Sequence, residues 1–247
     1  MQQVEGRNPV LELLRSNAVV DLIQVGRGLE EESQILEILR LARARDIRIR
    51  IVPREELRHI SRTGMEQGVI ACLALPKYTS LDALLKRSSE VFIVVLDRLQ
   101  DPQNLGSVLR SAEATNVNMV LIPKKSAVGL TPAVHRASMG GSVYVPVSRE
   151  NLFSAIKLLK RHNVTCIGVH PEGDSNYFDA DLTGSLALVV GGEDGGVSPA
   201  LLRKCDEVVR IPMLGHITSL NVGVAAAIVM YERVRQLETR RQIESRD

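Results

Sequence analysis

The apolar residues of this chain change spacing from one short segment to the next, and the changes mark out its elements. In "EESQILEILRLARAR" (31–45) Ile35, Leu36, Ile38, Leu39 and Ala42 form a stripe at helical spacing with Arg40 and Arg43 off it, which predicts an amphipathic helix. "NPVLELLRS" and "REELRHIS" read as helices too, whereas "VVDLIQV", "IRIRIV" and "GVIACLAL" read as strands. The alternation predicts a small α/β domain over residues 1–75, ending at "LPKY", where Pro76 interrupts strand pairing. Residues 76–90 read as a linker and a short helix, "SLDALLKR".

A second α/β series fills residues 91–247. Its apolar runs are "VFIVVL" (91–96), "MVLI" (119–122), "VYVPV" (143–147), "TCIGV" (165–169), "LALVV" (186–190) and "EVVRIP" (207–212), with helical patterns between most of them. Continuous rather than alternating runs predict strands buried on both faces, hence a mainly parallel sheet. Three polar or glycine-rich segments interrupt the series. "DRLQDPQNLGSVLR" (97–110) lies where a strand hands over to a helix, a favoured ligand position in open α/β sheets. In that helix Leu105, Val108, Leu109 and Ala112 face the core, while Asn104, Ser107, Arg110 and Ser111 fall on the other side. On these residues alone Asn104 is a helix cap and Arg110 a solvated surface residue, or both belong to a site.

"GGEDGGVSPALL" (191–202) sets four glycines around an acidic pair, then Ser198 as N-cap and Pro199 at the first helical position. Glycine permits positive φ and close approach of a ligand to the backbone, which a plain connector does not require. Glu193 is then either a loop carboxylate held by neighbouring amides or part of a ligand site. In "IPMLGHITSLNVGVAAAIVMYE" (211–232) a helix is expected from Ser219 or Leu220. It is apolar or small almost all round, which predicts full burial, with Ser219 as N-cap and Asn221 in the first turn.

Composition narrows the class. A chain of 247 residues, 45% hydrophobic, can bury a real core. Its apolar stretches, such as "AAAIVMY" (225–231), fall short of the roughly 18 residues that suggest a bilayer span, so no membrane segment is expected. The N-terminus "MQQVEGRNPV" lacks a secretory pattern, and a cytoplasmic protein is expected. Cys72, Cys166 and Cys205 are isolated, and His59, His135, His162, His170 and His216 are scattered, so no metal is expected. The net charge of +2 carries no argument for nucleic acid, but Arg40 to Arg62 holds eight arginines against Asp46, Glu55 and Glu56, an excess of five. That run is a solvated face or a phosphate-binding one. With three Phe, four Tyr and no Trp, an RNA partner would be gripped through phosphates and shape rather than by base stacking.

Taken together, "DPQNLGSVLRSAEA", "LVVGGEDGGVSPAL" and "IPMLGHITSLNVGVAAAIVMYE" resemble, in order and separation, the three motifs of the SpoU-type (TrmH-like) RNA ribose 2′-O-methyltransferases of the SPOUT superfamily. "VEGRNPVLELLR" and "QGVIACLAL" resemble that family's N-terminal substrate-binding domain, so the likeness covers nearly the whole chain. It departs from the commonest pattern at Gly223, where Ser is frequent, and at Glu193-Asp194, where Glu-Gly is usual. The resemblance implies an α/β fold: a parallel-sheet SPOUT domain over 91–247 with a C-terminal deep trefoil knot, preceded by a small L30e/L7Ae-like α/β domain that binds RNA. It implies S-adenosyl-L-methionine as methyl donor, without metal, held around Gly191, Ile211 and Leu220. Asn104, Arg110, Glu193, Ser219 and Asn221 would surround the reacting ribose. The two-domain layout resembles the enzymes that methylate guanosine in large-subunit ribosomal RNA, with transfer RNA as the alternative substrate, and the family implies a homodimer. A non-catalytic RNA-binding protein would not need the catalytic residues, all of which are present, and a nicotinamide enzyme would need a G-x-G-x-x-G that is missing. The family nominates Arg110 to activate the hydroxyl, yet arginine titrates above about 12. Lowering that to neutrality costs roughly 7 kcal/mol. Arg110 is thus a base in a dry site, or a cation holding an RNA phosphate that takes the proton.

Overall fold

A computed structural model describes residues 3–15, 20–73, 78–192 and 195–244. The chain divides into two units, Met1–Leu75 and Pro76–Asp247. The first contains β1 (Gln3–Glu5), α1 (Arg7–Arg15), β2 (Val20–Gly26), α2 (Ser33–Ala44), β3 (Arg48–Val52), α3 (Arg54–Ile60) and β4 (Val69–Leu73). Its sheet runs β1-β4-β2-β3, with β2 and β3 parallel and β4 antiparallel to both β1 and β2. Ile35, Ile38, Leu39 and Ala42 of α2 pack with Val10 and Leu14 of α1 over Ile23 and Val25. Leu57 of α3 packs with Val52, Ile70 and Cys72. Leu36 leaves the expected stripe and is 54% exposed. At roughly 100° per residue it turns away from the line through positions 35, 38 and 42.

The second unit contains α4 (Leu81–Arg87), β5 (Phe92–Asp97), α5 (Pro102–Ala114), β6 (Met119–Pro123), α6 (Pro132–Ala137), α7 (Gly141–Tyr144), β7 (Val147–Glu150), α8 (Leu152–Arg161), β8 (Thr165–Val169), β9 (Ser175–Asn176), β10 (Leu186–Gly191), α9 (Pro199–Leu202), β11 (Glu207–Arg210) and α10 (Val222–Glu244). Its seven strands run β7-β6-β5-β10-β8-β11-β9, every pair parallel. Both faces of the centre are covered, which is why the apolar runs are continuous. Phe92, Val94 and Leu96 of β5 face a core shared with α5 and α10, and Ile93 and Val95 face one shared with α4 and α8.

Two expectations need correction here. "VYVPV" is not a strand from 143: Gly141–Tyr144 form the short α7 and β7 starts at Val147. Pro146 has no N–H to offer a ladder, although its carbonyl accepts from Val120 N at 2.9 Å. Gly140, at φ +93, turns the chain beforehand. The last helix is not fully buried either. Val222, Ala226, Val229 and Met230 pack inward, but Val224 is 47% and Tyr231 53% exposed. No described helix is long and apolar enough to cross a membrane.

Candidate active site

Because the strands are parallel, the C-terminal ends of β8, β10 and β11 meet at one edge of the sheet. A cleft of about 620 Å³ opens there, lined by Gly191, Gly192, Gly195 and Gly196, by His170 and Glu172, and by Ile211, Ser219, Leu220 and Asn221 among others. Glycine is required at its rim. A Cβ on Gly191 would lie 1.9 Å from the carbonyl carbon of Gly196 and 2.0 Å from Val197 N, so the loop can fold back on β10 only without a side chain there. Gly195 and Gly196 have φ of +87 and +63, and no atom lies within 4 Å of a Cβ built on Gly195. Gly195 and Gly196 therefore present bare backbone toward the cleft.

The opposite wall is the entrance to α10. Asn221 caps that helix: its Oδ1 accepts from Gly223 N at 2.9 Å and more weakly from Val224 N at 3.4 Å. This corrects the expected cap at Ser219, which lies in the irregular segment before the helix and lines the cleft. The Nδ2 of Asn221 donates to Asn104 Oδ1 at 2.8 Å, joining the first and third motifs across 117 residues. Asn104 is buried inside α5 rather than at its cap; Asp101 caps α5 by accepting from Gln103 N at 3.0 Å. Gly223 allows the two helices to meet, since a Cβ there would come 2.6 Å from Ser107 Oγ.

Of the expected site residues, Gly191, Ile211, Ser219, Leu220 and Asn221 line the cleft, and Asn104 is tied to it through Asn221. Arg110 is exposed and does not line it. It sits further along α5 on the side of α7, where a Cβ on Gly141 would be 3.2 Å from its Cα. Glu193 and Asp194 lie outside the described residues. His170 and Glu172 were missed by motif reading. Their signal was position: "VHPEG" follows a strand next to β10, at the edge where such sheets bind ligands. The cysteines offer no thiolate here, because burial pushes Cys166 up to about 12 and Cys205 to about 11.

The cleft's polar backbone and mixed walls suit a ligand of nucleoside size. Comparisons with known proteins agree with this geometry. Residues 91–231 match the model of the SpoU rRNA Methylase family, and residues 3–79 match a domain described as RNA 2′-O ribose methyltransferase substrate binding. The chain is 36% identical over 238 residues to YacO of Bacillus subtilis, assigned to the TrmH family of tRNA/rRNA methyltransferases, covering 94% of this chain and 95% of the relative. Among solved structures it is similar to the SpoU methyltransferase AviRb from Streptomyces viridochromogenes in complex with AdoMet. The two are 27% identical with a TM-score of 0.67, over 96% of this chain and 90% of that one. It is also similar to the TrmH/SpoU tRNA modifying enzyme of A. aeolicus, at 25% identity and a TM-score of 0.56, over 65% of this chain and 85% of the other.

Proposed function

The chain belongs to the SpoU rRNA methylase family and is an RNA ribose 2′-O-methyltransferase, and we propose that it methylates ribosomal RNA from S-adenosyl-L-methionine bound in the glycine-lined cleft. The observation that carries the site is the joining of all three motifs at one sheet edge. Gly191 and its loop form one wall, Ile211 and Leu220 the other, and the Asn104–Asn221 bond closes the base of α10. The residues fit the cofactor: bare loop backbone faces the cleft, and Val190, Ile211, Leu220 and Ala225 give it apolar surface for an adenine ring.

When bound, S-adenosylmethionine supplies a methyl group on a sulfonium, which needs in-line approach of the ribose oxygen. Positioning is therefore the main task of the protein. Asn104 and Asn221 fix the distance between the first and third motifs, and Ser219 stands at the cleft mouth, where a ribose can be met. Arg110, exposed on α5 and outside the cleft lining, is suited to hold an RNA phosphate with its guanidinium fork, and that phosphate would receive the hydroxyl proton only where the bound RNA reaches from α5 to the cleft. Glu193 remains the candidate to orient Arg110 or the ribose.

RNA selection is assigned to the first unit. Part of its arginine cluster is engaged internally: Arg48 pairs with Asp21 at 2.7 Å, Arg50 with Glu56 at 3.0 Å, and Arg45 donates to Leu14 O. Arg40, Arg43 and Arg58 are exposed and form no ion pair among the described residues, leaving them for phosphates. The family's knot and homodimer belong to the same reading; it is supported by β11 lying between β8 and β9, and by the outward Val224 and Tyr231 of α10.

Mapping ribose methylation in ribosomal and transfer RNA from cells with and without the gene tests the substrate. One ribosomal site should lose its methyl group. Loss confined to a transfer RNA would replace the substrate and leave the chemistry.

A further inference from the structure

An arginine without a role in this mechanism stands beside the glycine loop. Arg98 directly follows β5, and its φ of +55 puts it in the left-handed region. That backbone is costly for a long side chain and persists where the surroundings hold it. Its Nη2 donates to the carbonyl of Gly196 at 3.1 Å, and its Nε lies 3.8 Å from Asp97 Oδ2. Asp97 is buried and grips both ends of the same loop. Its carbonyl accepts from Gly192 N at 2.8 Å, and its carboxylate accepts from Ser198 N at 2.9 Å. Arg98 also presses on the loop through its backbone, since a Cβ on Gly192 would meet Arg98 O at 2.5 Å.

Asp97 therefore holds Gly192 and Ser198, and Arg98 holds Gly196. Gly195 and Gly196 have no side chains to pack, so ordering them costs more entropy than for other residues, and the tether at Gly196 O adds to the bond that Gly196 N donates to Gly192 O at 3.1 Å. The Arg98 side chain is 46% exposed. A hydrogen bond so placed is modest in strength. We propose that Arg98 is a positioning residue that latches the glycine loop to the end of β5 and so sets how long S-adenosylmethionine stays in the cleft. This rests on the assignment of the cleft to that cofactor.

Hydrogen exchange at Gly192 and across residues 195–198 of the full-length protein without cofactor tests the latch, and the cofactor dissociation rate tests its use, in wild type, Arg98→Gly and Arg98→Lys. Glycine accepts the left-handed backbone at no steric cost, so Arg98→Gly removes the tether without adding strain. Exchange in the loop and cofactor release should each accelerate about tenfold in Arg98→Gly. Arg98→Lys, which keeps a cationic donor, should fall between it and wild type. Unchanged exchange in Arg98→Gly overturns the proposal, as does faster exchange with unaltered cofactor release. If wild type bound no S-adenosylmethionine while exchange still responded to Arg98, the cleft assignment would have failed, and the role in cofactor residence with it.

Discussion

Glu5 shows how one side chain can organise a surface loop. Its carboxylate accepts from Ser61 Oγ at 2.6 Å, Arg62 N at 2.8 Å, Thr63 Oγ1 at 2.5 Å and Gln3 Nε2 at 2.7 Å. Burial pushes its pKa upward, but the donors, Ser61 and Thr63 foremost, outweigh it and hold the group at about 2 against an ordinary 4.5. A depressed carboxylate contributes stability that is fully present above the unfolded value and is lost as pH falls through the folded one. The first unit should therefore lose stability between pH 4.5 and about 2. Acid titration of thermal stability in wild type and Glu5→Gln checks this: the variant, less stable at neutral pH, should lack that part of the slope. An unchanged slope would mean that other carboxylates set it.

At the scale of elements, α10 has an outer face that one chain does not cover. Val224 and Tyr231 are seven residues apart and so share a side, opposite the core positions Val222, Ala226 and Met230. If this face is the homodimer contact, the double variant Val224→Arg, Tyr231→Glu should halve the mass in solution and keep the helical content. A dimer of unchanged mass would move the interface elsewhere. The central strands of the large sheet were legible in sequence because burial on both faces removes polar positions from them, whereas the two-residue polar edge strand β9 left no such signal. α10 misled for a related reason: its small and apolar residues serve the core on one side and leave a bare surface on the other. The start of β7 was obscured by Pro146, which interrupts a run that otherwise reads as a strand. Within the site, Gly191, Ile211, Ser219, Leu220 and Asn221 were legible as motif residues. The Asn104–Asn221 bond and the place of His170 were not, since both depend on which strands and helices become neighbours.

For the molecule as a whole, the two units have separate cores, and the residues that line the cleft all belong to the second. The exposed arginines Arg40, Arg43 and Arg58 belong to the first. The proposed division of labour between selecting RNA and performing methyl transfer rests on that placement. The most direct test is transfer of tritiated methyl from S-adenosylmethionine to ribosomal RNA, with the labelled nucleoside identified after digestion, in wild type and Gly191→Ala. The added Cβ would lie 1.9 Å from backbone. Overpacking of that kind costs about 1–3 kcal/mol, and if the loop must return to its place to bind, cofactor affinity should fall by roughly five- to a hundred-and-fiftyfold. Label on a ribose 2′-oxygen in wild type, with transfer at limiting cofactor reduced to match in Gly191→Ala, is the expected result. Absence of label from ribosomal RNA and, assayed in parallel, from transfer RNA in wild type, or undiminished transfer by Gly191→Ala, would contradict the assignment of this cleft.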